Sequence, residues 1–168
     1  MDKKPQRGVF LLEALIAILI FSLGILGMVA MGGTAIAAQS DARYRTEAAN
    51  FANEIASKIA LNVDPNNIQT SLQGFAHQPI SAGYCNFAGD ASTSAIVLGW
   101  VDEVRGAVPG TPGLPGATAI SQSIAVDISQ ATYSTVTITV CWQPPSNGTT
   151  AFAPWHSQVL VSYVPNQA

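Results

Sequence analysis

Charged residues are scarce in this sequence of 168 residues: 10% are Asp, Glu, Lys or Arg, against about 25% in an ordinary soluble domain. Seven Lys and Arg against ten Asp and Glu leave a net charge of −3. No basic cluster exists to neutralise phosphates, so direct nucleic-acid binding is not expected. Disorder needs low hydrophobicity with high net charge, and 48% of this chain is hydrophobic. Two cysteines are too few for a disulfide scaffold but enough for one bridge. There is no CxxC and no HxxxH, and His77 and His156 each stand alone, so no metal or cofactor site is expected. Proline is absent between Pro5 and Pro65.

What is present is concentrated at the N-terminus. Between Arg7 and Asp41 the sole ionisable residue is Glu13, and Val9–Ala38 is apolar almost throughout. An apolar run of 18 or more residues is a transmembrane helix candidate. Lys3, Lys4 and Arg7 precede it with no matching cluster beyond it. The positive-inside rule then keeps the N-terminus cytoplasmic and exports the remainder. Without residues 1–8 the chain keeps Arg43, Arg45, Lys58 and Arg105 against nine acidic residues, a balance of −5. In an oxidising compartment a structural disulfide between Cys85 and Cys141 is the default. Free buried thiols, metal ligation with a histidine and a Cys/His nucleophile pair are the alternatives, and no spacing supports the last two.

Past the apolar run, Tyr44, Ala48, Phe51, Ala52, Ile55 and Ile59 recur every three or four residues, which is one helical face. Glu54 and Lys58 form an i,i+4 pair in the favourable order. Asp64-Pro65 is the expected stop. The spacing thus predicts one helix from about Val9 to about Val63, apolar all round in its first half and striped in its second. Gly24, Gly27, Gly32 and Gly33 lie inside it; close helix packing and a segment able to unwind both account for them.

Residues 66–95 read as a long irregular connection. Ile96, Val97, Trp100, Val101 and Val104 predict a short helix over 94–107, followed by an extended loop through Val108–Gly116. Ile120–Ile128, Tyr133–Trp142 and Gln158–Val164 are rich in Val, Ile, Thr and Tyr and read as strands. Between the last two, a long turn over Gln143–Pro154 contains Asn147-Gly148, which is read as a turn rather than a glycosylation sequon. The expected architecture is α+β: a long transmembrane and amphipathic helix packed on a small antiparallel sheet. The domain bounds are a leader at 1–8, an apolar half-helix at 9–38, an amphipathic half at 39–63 and a head at 64–168.

A carboxylate inside a membrane helix costs roughly 2.5 kcal/mol or more and usually marks function. Glu13 sits one turn beyond Gly8-Val9. Were the chain cut there, the new amine of Val9 could pair with Glu13 of a neighbouring copy; the alternative is a Glu that snorkels or is protonated. Arg7-Gly8-Val9-Phe10-Leu11-Leu12-Glu13 resembles the class III signal of type IV pilins and pseudopilins. The resemblance implies a pilin-like fold, leader cleavage after Gly8, N-methylation of Val9 and a registering role for Glu13. Val9 stands where the family usually has Phe. The stretches Glu13–Met28, Ala52-Asn53-Glu54-Ile55-Ala56, Ala60-Leu61-Asn62 and Val140-Cys141-Trp142 resemble PilV-type minor pilins, the type IV pilus modification proteins. So do Asp90, Trp100 and the turn at Pro109-Gly110.

That likeness implies a subunit that primes pilus assembly or stands at its tip, and so serves motility, adhesion or DNA uptake. Its partners would be other minor pilins, the major pilin, a PilY-type tip adhesin, the prepilin peptidase and the inner-membrane assembly platform. It would be a single-pass inner-membrane protein with a periplasmic head before it enters the pilus at the cell surface. One alternative is an I-type minor pseudopilin of a type II secretion system. Another is a secreted protein whose signal peptide ends at Ala35-Ile36-Ala37. An enzyme is not expected: from Pro65 onward the charged residues of the head are Asp90, Asp102, Glu103, Arg105 and Asp127, without catalytic spacing.

Overall fold

The computed structural model describes residues 7–144 and 154–166. Most of the leader and the turn expected at Asn147-Gly148 lie outside the described residues. The chain divides into two compact units, residues 1–42 and 43–168. One helix, α1, runs Arg7–Asn62 and contributes to both. Its bounds match the periodicity because nothing between Pro5 and Pro65 removes a backbone donor. Beyond it, the Asp64 carboxylate accepts the Asn66 N–H at 2.9 Å, which turns the chain out of the helix.

The second unit follows in the order α2 (Ile68–Gln73), β1 (Ile80–Gly83), β2 (Asn86–Ala88), α3 (Ala95–Val104), β3 (Gln122–Asp127), β4 (Tyr133–Trp142) and β5 (His156–Pro165), with a 3₁₀ turn at Ala119–Ser121 before β3. β3, β4 and β5 form an antiparallel meander in that spatial order, and β1 pairs with β2 in a separate hairpin. The architecture is therefore α+β, as expected. Residues 66–95 depart from expectation: they hold α2 and the hairpin rather than an irregular connection.

The core forms where three apolar faces meet. Ala48, Phe51, Ala52, Ile55 and Ile59 of α1 are buried, as are Val97, Trp100, Val101 and Val104 of α3. Val136, Ile138, Val140 and Trp142 close it from β4, joined by Ile124 of β3 and by Leu72. Each large side chain so buried contributes about 1.5–3 kcal/mol. Along β4, Thr135, Thr137 and Thr139 alternate with this set and take the half-buried opposite face. The Trp100 indole N–H, fully buried, donates to the Phe51 carbonyl at 2.9 Å, so α3 is tied to α1 by a satisfied polar contact as well as by packing. Lys58 bridges the same two helices at the surface, pairing with Glu54 and, at 3.5 Å, with Glu103.

After α3 the chain doubles back on itself. A Cβ at Gly113 would meet the Gly106 amide nitrogen at 2.1 Å, so two stretches of backbone pass where no side chain fits. The loop between them is therefore a compact turn, closed by the Thr111 N–H donating to the Val108 carbonyl and the Leu114 N–H to the Val104 carbonyl, rather than the extended segment expected from its Pro-Gly pattern.

Candidate functional site

In the first unit the helix exposes its apolar surface on all sides. Seventeen large apolar side chains from Val9 to Ile36 are exposed, and burying each would contribute about 1.5–3 kcal/mol, tens of kcal/mol in sum. A surface of that kind needs apolar surroundings. The helix is long and apolar enough to cross a membrane. Its backbone polar groups are satisfied within the helix, and the Ser22 hydroxyl donates to the Ile18 carbonyl at 2.7 Å, so one of its few polar side chains is bonded locally.

Glu13 interrupts this surface. It lies in α1 one turn after Val9, with Leu12 and Leu15 exposed beside it. The helix brings Gly8, Val9 and Glu13 within two turns of one another, the relation their spacing implied. At Gly24, Gly27, Gly32 and Gly33 an added Cβ would meet nothing within 4 Å. Within this chain no contact requires those glycines. Their use lies in what surrounds the helix or in its readiness to unwind.

In the second unit Cys85 and Cys141 are joined by a disulfide, with Cα atoms 5.7 Å apart. Cys85 is the turn residue of the β1–β2 hairpin, at φ +56°, and Cys141 lies near the end of β4. The bridge therefore fastens the hairpin onto the face of the sheet opposite the core. Tyr84 Oη lies 3.3 Å from Ser157 Oγ beside it. A cavity of about 310 Å³ sits next to the bridge, lined by residues that include Phe87 and Thr139. A cysteine in a disulfide offers no thiolate, which removes the ligand and nucleophile readings of this pair.

The two histidines are far from equivalent. His77 is 2% exposed and satisfied at both ring nitrogens: Nδ1 accepts the Ser92 N–H at 3.2 Å, and Nε2 faces the Ala119 carbonyl at 3.3 Å. These partners assign the neutral tautomer with its proton on Nε2. Burial pushes its pKa below the ordinary 6.5, against a smaller opposing effect of the Ala119 carbonyl. With its backbone bonded to Ile124 in both directions, His77 pins the segment after α2 to β3. Its structural role was not legible in the sequence, where it stands alone in a turn-rich stretch. His156 is near the surface, stacked on Trp142 with ring centroids 5.5 Å apart and 3.4 Å from an Arg45 guanidinium nitrogen.

A larger cavity of about 550 Å³ lies between Gln73 and Thr93, where Asp90 is the one ionisable lining residue. Among the described residues no three His, Cys, Asp or Glu side chains are grouped to hold a metal ion. The arrangement in this unit is thus a braced head, while the surface that demands a partner is the apolar helix. No family model, no curated protein and no solved structure matches this chain.

Proposed function

We propose that the chain is a minor pilin: a membrane-anchored subunit whose activity is assembly into a type IV pilus. The observation that carries this reading is the exposed apolar helix with a single carboxylate, Glu13, one turn beyond Gly8-Val9. Cleavage after Gly8 by a prepilin peptidase would place a new amine on Val9, in apolar surroundings. The carboxylate of Glu13 on an adjacent subunit would relieve that charge and be relieved by it, since an ion in low dielectric is tolerated when paired. The pairing sets one subunit's helix at a fixed height on the next. Apolar faces that occupy lipid before assembly occupy the bundle of neighbouring helices afterwards. Cytoplasmic Lys3, Lys4 and Arg7 hold the leader on the peptidase side, and the braced head remains on the outer side, where its disulfide is stable.

The test is the intact mass and N-terminal sequence of the protein recovered from envelope fractions. A chain beginning at methylated Val9 is the expected result, with Gly8→Ala left uncut. A chain beginning near Ala38 would make the apolar run a discarded signal peptide and overturn the reading. Co-purification with pilus or with secretion-system subunits then separates the minor pilin from an I-type pseudopilin.

A further inference from the structure

The two edges of the three-stranded sheet are treated differently. Along β3, Ile124 and His77 exchange backbone hydrogen bonds of 2.8 and 3.0 Å, and the Ser123 hydroxyl donates to the Gln78 carbonyl at 2.9 Å. That edge is occupied. β5 is the opposite outer strand, and among the described residues it pairs with β4 alone. Val159, Val161 and Tyr163 on it are 50%, 44% and 67% exposed. Edge strands are ordinarily blunted by lysine, an inward charge, proline or a bulge. From Ser157 to Val164 β5 has none of these, and its register with β4 is unbroken.

We propose that this edge is a strand-addition site whose occupant is β5 of a second copy, joined antiparallel about a two-fold axis at Leu160. Two-fold pairing sets a surface against itself, so any charge near the axis meets its like. The chain is acidic, with a net charge of −3, yet from Ile128 to Ala168 it carries no Asp, Glu, Lys or Arg. The strand itself therefore brings no like charges together at the axis, and Arg45, the cation against β5, sits at His156, four residues from Leu160. The segment Gln158-Val159-Leu160-Val161-Ser162 is also close to symmetric about its centre. About Leu160, Val159 stands opposite the second copy's Val161, and Gln158 opposite its Ser162. Directly opposed residues share a face. The valines therefore pair on the exposed face, while Leu160, which packs against the core, meets its counterpart on the inner one. The unpaired backbone groups of both edges bond to each other, and two three-stranded sheets become one. A single strand pair buries far less than the roughly 800 Å² per partner of a stable complex. The association is weak and is read by trapping.

The experiment uses the full chain in detergent with its native disulfide intact. Differently tagged Val159→Cys and Val161→Cys chains are mixed and treated with a mild oxidant. The mixed adduct is expected at least five-fold above that from Val161→Cys with Tyr163→Cys, which the same axis sets about 13 Å apart along the strand. Excess wild-type chain, or Leu61→Lys as a charge control away from the sheet, suppresses the adduct. A Val159→Lys, Val161→Lys chain, shown to be folded by circular dichroism, does not suppress it. Equal adducts from both cysteine pairs, or equal suppression by the lysine chain, overturn the proposal. In envelope fractions holding both cysteine chains, capture of Val159→Cys by a different protein without the mixed adduct to Val161→Cys also overturns it. None of these outcomes depends on whether the chain enters a pilus.

Discussion

His77 illustrates how much of this head rests on single buried polar groups. Its imidazole links three segments, accepting from the Ser92 amide and facing the Ala119 carbonyl while its backbone pairs with Ile124. Burial holds its pKa below 6.5, so between the two values the unfolded chain binds a proton that the folded chain refuses. The contribution is complete above pH 6.5 and is lost as pH falls through 6.5 towards the folded pKa. Thermal unfolding of the wild type should therefore weaken more between pH 7 and pH 5 than that of His77→Gln, although the variant starts from a lower midpoint. For a chain of this size about 2–4 °C corresponds to 1 kcal/mol, so the difference in slope is measurable. Equal slopes would assign the pH response to other groups. The carboxyls of Asp64 and Asp127 are also lowered, chiefly by the backbone N–H of Asn66 and Ser129 respectively. Both act only at more acidic pH.

At the scale of the element, the β1–β2 hairpin is the part least able to stand alone. Its strands are four and three residues long, β1 is exposed throughout, and an isolated two-stranded hairpin is marginal in water. The bridge from Cys85 to Cys141 spans 56 residues of sequence, and closing such a loop contributes about 3–4 kcal/mol on the chain-entropy view. Cys85→Ser should lower the unfolding midpoint by several degrees. It should also release the amides of residues 80–88 to rapid hydrogen exchange before those of β4. Unchanged protection at those amides would mean that packing, not the bridge, holds the hairpin. The same dependence explains why the sequence reads 66–95 as irregular. α2 has six residues, and neither it nor the hairpin is long enough to show a period. The elements that were legible, α1, α3 and the three strands of the meander, each repeat an apolar face at their own spacing.

For the molecule as a whole, the two units make opposite demands on their surroundings. The head buries its apolar residues within itself, whereas residues 9–36 expose theirs and are satisfied only by lipid or by other helices. On the proposed function, Glu13→Ala leaves cleavage after Gly8 intact, because the charge pair forms only after the cut has created the Val9 amine. It leaves the Val9 amine unpaired in an apolar bundle, so recovery in sheared pili should fall at least ten-fold while the envelope pool is unchanged. Wild-type recovery of that variant would exclude a registering role for Glu13.

The sequence by itself determined the elements whose cause is local. The apolar run with its single carboxylate, the stop at Asp64-Pro65, the stripe from Ala48 to Ile59 and the alternation in β4 all follow from spacing along the chain. Packing decided the rest. Only the folded chain brings Cys85 onto the sheet, buries His77 between Ser92 and Ala119, and closes one sheet edge while β5, among the described residues, pairs on one side alone. Those relations join residues far apart in sequence, and no local period encodes which surface will meet which. The outer strand is the clearest case, because strand composition marks β5 as a strand, while its place at one end of the order β3-β4-β5 exists only once the sheet has formed.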